Sequence, residues 1–379
     1  MKLKDLVNIK TFEYHWDVIE SIPEFAALKG CQQNPRWHAE GDAWEHTKLV
    51  CMEAVKICKE RQWEHEPTWA SFLLGSALFH DIGKPLTTSL GKDGNWHSYG
   101  HENVGEKLTR LMLWDEYVPT REVICGLVKW HMEVLHILDH HDYLERLVNI
   151  SNSLNGYFSI LCELKKCDIN GSMQNPDGSK NDLCKIQEIE GMAQSLGCRY
   201  NRPNIPEHNK INCINADKEK GRVVMMIGLP GSGKSTYIER CLGVDSGIGV
   251  EPDYIVVSRD IIRAELGFCK LGEKVVLSED KEKQVTEAEH NKMVNAIRDG
   301  KTLVIDNINL KRKYRDAYHR LFKDYNITWD YIYVQALNLD INVERRSDNH
   351  MDKKVFENIV RSFDWPTSDE CDSLTIITT

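Results

Sequence analysis

Apolar residues recur at spacings of three and four through 43–60, 68–81, 102–114, 119–135 and 141–168, the period of helices with one buried face. Pro119 and Thr120 suit a helix start. Strand-like alternation is scarce before residue 200. Segment 171–181 is Gly-, Asn-, Pro-, Asp- and Ser-containing and aperiodic, which predicts a loop, with a further helix over about 182–196. The polar stretch 199–221, with two prolines and no period, predicts a linker. From residue 222 short apolar runs appear: Val223–Ile227, Tyr254–Val257, Thr302–Ile305, Tyr331–Leu337 and Leu374–Ile377. Helical patterns separate most of them, so βαβ units and a mostly parallel sheet are expected. The chain reads as multidomain: an all-α bundle over 1–198, a linker over 199–221, and an α/β domain over 222–379.

Composition narrows this reading. Of 379 residues, 41% are hydrophobic and 28% charged, an ordinary globular balance that excludes collagen-like, disordered and disulfide-scaffold chains. The 12 cysteines form no C-x-x-C pair, so a zinc ribbon or thioredoxin motif is not expected, and reduced thiols are. The N-terminus has no apolar leader core, and no stretch approaches the roughly 20 apolar residues of a membrane span. A cytoplasmic protein with no membrane partner is the expectation. The net charge of −10 at first argues against polyanionic partners. It divides unevenly: residues 1–215 carry 23 Lys and Arg against 30 Asp and Glu, residues 216–379 carry 25 against 28. The second half is near neutral, and a protein that grips only a strand end needs few phosphate contacts.

The helical half concentrates ligand-type side chains. His80 and Asp81 end an apolar helix in Ala-Leu-Phe-His-Asp-Ile-Gly-Lys. His46 shares a face with Val50, Ala54 and Ile57; Leu127 precedes His131 by four and Leu164 precedes Asp168 by four, so these also project inward. His101 opens a further helix. One buried histidine is ordinarily structural, and an inward Asp168 needs a cation or salt bridge. Four histidines and two aspartates converging from five segments point to metal. Lys84 reads equally as a phosphate contact and as a surface lysine; His38, His97 and His136 could each contact phosphate, though an exposed histidine is the simpler reading of each.

The order H…HD…H…H…D resembles the HD-domain phosphohydrolase superfamily. Segments 36–48 and 97–105 are most similar to the HD domain of tRNA nucleotidyltransferases. The resemblance implies one metal on His46, His80, Asp81 and Asp168 and a second on Asp81, His101 and His131. The ions would be Mn2+, Fe2+, Co2+ or Ni2+, and the reaction hydrolysis of phosphomonoesters, cyclic phosphodiesters or nucleotides.

Residues 228–236 read Gly-Leu-Pro-Gly-Ser-Gly-Lys-Ser-Thr, a full G-x-x-x-x-G-K-[ST] match between an apolar strand and a helix. Gly228, Gly231, Ser232 and Gly233 let backbone N–H groups face phosphates. Lys234 is expected to reach the β- and γ-phosphates of ATP or another NTP, Ser235 to bind Mg2+, and Thr236 to complete the nucleotide site. Asp260 and Arg263 lie three apart where a strand gives way to a helix, at the edge where α/β sheets bind ligands. They read as a base and a phosphate clamp, or simply as helix-start residues. Asp306 and Asn309 follow another strand and suit Mg2+ or acceptor contacts. Arg345 and Arg346 sit in a charged helix and suit a lid over the transferring group, or a solvated face.

The P-loop, Arg259–Arg263, Ile305–Asn309 and Glu344–Arg346 together resemble the 5′-OH polynucleotide kinase branch of P-loop phosphotransferases. That resemblance implies Asp260 as general base, Arg263 on the acceptor phosphate and Arg345 or Arg346 on the donor phosphates. Asn349 departs from the basic residue the family often carries there. An HD module followed by such a kinase resembles the bacterial HD-Pnk family. It implies a bifunctional end-healing enzyme that phosphorylates 5′-OH ends of RNA or DNA and removes 3′-phosphates, with 2′-phosphate or 2′,3′-cyclic ends as further substrates, preparing termini for a ligase. The basic run Lys311–Arg315 with Tyr314 could track a strand or form a solvated face. The alternatives are a small-metabolite kinase fused to a nucleotide phosphohydrolase, and a nucleotide-gated sensor.

Overall fold

The computed structural model describes residues 1–172, 176–196, 221–242, 254–271, 273, 275–346, 351–367 and 369–379. All of the expected linker except Gly221 lies outside them, as do positions 347–350 beyond Arg346. The chain divides into two compact units, Met1–Ile205 and Pro206–Thr379.

The first unit is helical. Its main helices are α1 (Ala43–Glu60), α2 (Pro67–Phe79), α3 (His101–Met112), α4 (Val118–Trp130), α5 (Tyr143–Ser153), α6 (Phe158–Gly171) and α7 (Pro176–Ser195). Asp42 starts α1, its Oδ1 accepting the Trp44 and Glu45 amides at 3.0 Å. In α2 every residue from Phe72 to Phe79 is buried, which makes it the central helix of the bundle. Between α3 and α4 a buried ion network, Arg110 with Glu106 and Glu122 and Arg121 with Glu122, fixes the pair.

Two helix expectations are corrected. The single helix over 141–168 is two, because Asn155 (φ 52°) and Gly156 (φ 80°) take left-handed conformations that stop α5 and restart the chain as α6. The expected loop over 171–181 gives way to α7 at Pro176, a residue whose fixed φ suits the first helical position.

The second unit is a five-stranded parallel sheet. Its strands are β1 (Gly221–Ile227), β2 (Tyr254–Val257), β3 (Thr302–Asp306), β4 (Ile327–Gln335) and β5 (Ser373–Thr378), in the order β2-β3-β1-β4-β5. The helices are α8 (Lys234–Tyr237), α9 (Arg259–Glu265), α10 (Glu279–Arg298), α11 (Arg312–Leu321), α12 (Leu339–Arg345) and α13 (Lys353–Arg361). β4 begins at Ile327, earlier than the apolar run suggests, and its Asp330 carboxylate takes Arg222 Nε at 2.6 Å. In the β1–β3 register Met226 faces Asp306, so the two strands deliver their C-terminal ends side by side. Among the described residues no helix is long and apolar enough to cross a membrane, and the described cysteines form no disulfide.

Candidate functional site

In the helical unit all six ligand-type residues meet. His80 and His131 sit just past α2 and α4, where the last carbonyls of a helix lack a partner. His80 Nδ1 donates to Ala77 O at 2.9 Å and His131 Nδ1 to Val128 O at 2.7 Å. His101, at the first turn of α3, donates Nδ1 to Ser98 O at 2.7 Å. These partners assign the Nδ1–H tautomer and leave each Nε2 with its lone pair facing inward. His46 Nε2 lies 3.0 Å from Asp168 Oδ1 and 3.6 Å from Asp81 Oδ2. Asp81 Oδ2 is 3.2 Å from His80 Nε2, and Asp81 Oδ1 is 3.3 Å from His101 Nε2 and 3.9 Å from His131 Nε2.

The donors fit divalent ions. His80 Nε2 and Asp81 Oδ2 are buried and make no well-directed hydrogen bond. His101 Nε2 and His131 Nε2 stand 3.2 Å apart, two lone pairs that repel without a cation between them. His46, His80 and Asp81 converge on one point and Asp81, His101 and His131 on another, with Asp81 common to both. Imidazole and carboxylate together suit first-row transition ions.

Electrostatics agree. Burial raises the Asp81 pKa, yet the neighbouring His80 and the Lys84 ammonium hold it well below the usual carboxylate range. Burial raises that of Asp168 too, and Lys165 and His46 overcome it in the same way. Burial and the neighbouring His101 and His80 push His131 far down, so its imidazole is neutral. Burial disfavours a charged His46, but Asp168 and Glu40 outweigh it and lift the pKa to about 9; a metal at this spot would replace the Nε2 proton.

Lys84 is not a surface lysine: it is 7% exposed, with Nζ 2.6 Å from both Asp81 Oδ2 and Gln33 Oε1. The sequence reading passed over Lys165, whose buried Nζ donates to Asp168 Oδ2 at 2.6 Å, and Glu40, whose Oε1 lies 2.8 Å from Nδ1 of both His38 and His46. His38 is therefore half-buried rather than exposed. His97 is also partly covered and pairs with Asp93, while His136 is exposed.

In the sheet unit, left-handed glycines at Gly231 (φ 73°) and Gly233 (φ 96°) turn the loop between β1 and α8. Gly228 lies at the loop start, Ser232 is buried with its Oγ unpartnered, and Thr236 is exposed. Lys234 Nζ caps the carbonyls of Gly228 and Leu229 at 3.0 Å. Burial pushes its pKa down to about 8, opposed by Asp306 and Asp260 and reinforced by Arg346. Ser235 Oγ donates to Asp306 Oδ2 at 2.8 Å, so hydroxyl and carboxylate form one Mg2+-type corner. Asp260 is 73% exposed on its side chain and takes Arg263 Nη1 at 2.9 Å.

Some expected roles change. Arg263 is already engaged, with Nε and Nη2 on Glu282 Oε1 at 3.3 and 3.1 Å besides the Asp260 bond. Asn309 is not presented to an acceptor: it is 5% exposed and its amide donates to Met226 O at 2.9 Å, a structural tie to β1. Arg345 donates to Gly231 O at 3.0 Å, and the Arg346 charge acts on Lys234. The run Lys311–Arg315 is broken up, because Arg312 pairs with Asp369 and the fully buried Arg315 with Glu370.

Asn307 lies in the Ile305–Asn309 segment that carries the kinase resemblance, but sequence reasoning gave it no role of its own. Its Oδ1 accepts the Arg259 amide at 3.1 Å, and its Nδ2 donates to Glu289 Oε1 at 2.9 Å and Tyr318 Oη at 3.0 Å. With Arg259 on Glu289 and Glu282, both at 2.7 Å, this ties the start of α9 to the end of β3. The only signal was a polar residue between Asp306 and Asn309.

Residues 223–366 match the AAA domain family. The chain is 34% identical over 117 residues to a CC-adding tRNA nucleotidyltransferase of Thermus thermophilus, which is 30% of this chain and 25% of that protein. It is 42% identical over 89 residues to a Multifunctional CCA protein of Actinobacillus pleuropneumoniae, 24% and 20% of the two chains. The chain thus spans a quarter or less of the length of these two relatives. A chain of the Pnkp1/Rnl/Hen1 RNA repair complex is similar at 18% identity over 41% of this chain and 46% of that one, with TM-score 0.30. A sugar kinase from Janibacter sp. is similar at 18% identity over 42% and 85%, with TM-score 0.29. At these scores neither structural likeness carries an argument.

Proposed function

We propose that this chain heals nucleic-acid ends: it transfers the γ-phosphoryl of ATP or another NTP to a 5′-OH end of RNA or DNA, and it hydrolyses a 3′-phosphate. The carrying observation is that one chain holds both a P-loop near an exposed carboxylate and a buried His/Asp cluster in which His80 Nε2 and Asp81 Oδ2 make no well-directed hydrogen bond. Both activities act on 5′-OH and 3′-phosphate termini, and their products are what a ligase joins. The tRNA nucleotidyltransferase relatives support a nucleic-acid substrate.

At the kinase site Asp260 accepts the proton of the attacking hydroxyl, and its exposure leaves room for an acceptor. Lys234 leaves two loop carbonyls for the donor phosphates, and Arg346, just past α12, adds positive charge. Ser235 and Asp306 would hold Mg2+, which when bound offsets charge on the β- and γ-phosphates. An acceptor phosphate reaches Arg263 by replacing the Glu282 carboxylate.

At the helical site His46, His80, Asp81 and Asp168 would hold one divalent ion, and Asp81, His101 and His131 a second. Such ions, when bound, supply Lewis acidity to phosphate oxygens and acidify water. Lys84 and Lys165 bring two buried ammonium groups that can turn from Asp81 and Asp168 toward the substrate phosphate.

One observation favours the small-metabolite alternative: the groove along α10, beside Arg263, is lined by three glutamates, Glu279, Glu282 and Glu287, against one lysine, Lys283, with His290 beside them. Labelled NTP offered to a 5′-OH oligonucleotide, a nucleoside and a sugar decides between them. Label on the oligonucleotide supports end healing; label on the nucleoside or sugar alone sinks it.

A further inference from the structure

His46 differs from the other three histidines in how its ring is held. His80, His101 and His131 each anchor Nδ1 on a main-chain carbonyl three residues back, at or just outside a helix end. His46 lies inside the first turns of α1. There the Asp42 carbonyl accepts the His46 amide at 3.2 Å, and the Ala43 carbonyl accepts Thr47 Oγ1 at 2.7 Å. The Ala43 carbonyl, the counterpart three residues back, is thus already taken by the Thr47 side chain.

A side chain takes that place. Glu40 Oε1 lies 2.8 Å from His46 Nδ1, a close carboxylate–imidazole contact without hydrogen-bond alignment, and the Glu40 side chain is 1% exposed. The same oxygen is 2.8 Å from His38 Nδ1. The segment is built to put it there. Asp42 caps α1 with Oδ1 and takes the Gly30 amide on Oδ2 at 2.6 Å, which pins the loop on both sides. Gly41 (φ 127°) adopts a conformation that side chains disfavour and turns the chain back so that Glu40 points at α1.

We infer that Glu40 is a positioning residue for the metal site: it holds Nδ1–H of His46, fixes the tautomer, and aims Nε2 at the point shared with His80 and Asp81. A carboxylate in this place also makes the imidazole a stronger donor than a carbonyl does. His38 shares the oxygen and steadies Glu40 from the rim. This inference rests on the reading that the cluster binds divalent ions.

The test uses the full chain without nucleotide. Mn2+ affinity is measured by calorimetric titration for wild type, Glu40→Ala, Glu40→Gln and His38→Ala, each with its melting temperature. Glu40→Ala is expected to weaken Mn2+ binding by about 10–100-fold. Glu40→Gln, which keeps an acceptor oxygen and the fold, falls between it and wild type, and His38→Ala stays within about threefold. With 15N-labelled histidine and diamagnetic Zn2+, wild type shows a protected His46 Nδ1–H that Glu40→Ala loses. Equal Mn2+ affinities in wild type and both Glu40 variants overturn the role of Glu40. A wild type that binds no Mn2+ overturns the metal reading itself, so the two failures are distinguishable.

Discussion

Removing Asp81 separates the metal reading from a purely structural one. This carboxylate belongs to both candidate ion groups, so Asp81→Asn weakens both at once. A ligand that binds only the native state stabilises it by about 2.7 kcal/mol at a concentration of 100 Kd. For a unit of 150–250 residues each kcal/mol moves the melting temperature by roughly 2–4 °C. Saturating Mn2+ should therefore raise the melting temperature of the helical unit by about 5–11 °C over the chelated protein. In Asp81→Asn that increment should fall below about 2 °C. The metal-free variant also melts lower, by about 3–5 kcal/mol of lost stability, because the buried Lys84 ammonium keeps only Gln33. The increment, not the baseline, is thus the readout. Tryptophan fluorescence reports it selectively, since eight of the ten tryptophans precede residue 131. An equal increment in variant and wild type, or none in wild type, refutes the reasoning.

Other outcomes follow from the sheet unit. Lys234 is charged only below about 8 in the nucleotide-free protein, so ATP affinity should fall as pH rises through that value, approaching tenfold per pH unit, and Lys234→Arg should flatten the profile; a binding titration from pH 6.5 to 9.5 checks it. Asp260→Ala should abolish 5′-phosphorylation while leaving Mn2+-dependent phosphate release intact, as measured on doubly labelled oligonucleotides. Arg346→Ala should lower kcat by about 10²–10³-fold, and Arg345→Ala should act mainly on KM through the loop carbonyl it holds, a split that steady-state kinetics resolves. Glu370→Ala strands the fully buried Arg315 and should cost about 3–5 kcal/mol, seen as a lower denaturant midpoint for the sheet unit.

What the chain disclosed in advance was set by periodicity and short-range spacing. The apolar stripe behind His46, Leu127 before His131 and Leu164 before Asp168 placed those side chains inward, and the structure brings them within 4 Å of a common carboxylate or of one another. The glycine-rich loop and the strand ends after Ile227 and Ile305 were equally legible. The 141–168 helix failed because a local pattern of three and four carries across Asn155–Gly156, although the backbone there reverses its sign of φ. Lys165 was invisible because a lysine three residues before an inward aspartate looks like any exposed cation. Only the fold shows that its amine is buried on Asp168. Glu40 was hidden for a related reason: its role depends on which carbonyls α1 leaves unused. Asn309 misled because a polar residue after a strand reads as a ligand group, whereas here it ties β3 to β1.

The pairing of Met226 with Asp306 has a practical consequence. The loop that grasps polyphosphate is local, lying within about a dozen residues after β1. The carboxylate that completes the Ser235 corner arrives from 71 residues further along, and only if β1 and β3 align in that one register. Because side chains alternate faces, a slip of a single residue would turn Asp306 away. A preparation with misaligned strands would still be retained on an immobilised-nucleotide resin. Retention therefore overcounts competent molecules, and turnover per mole, titrated against Mg2+, is the measure of how much of a sample has assembled correctly.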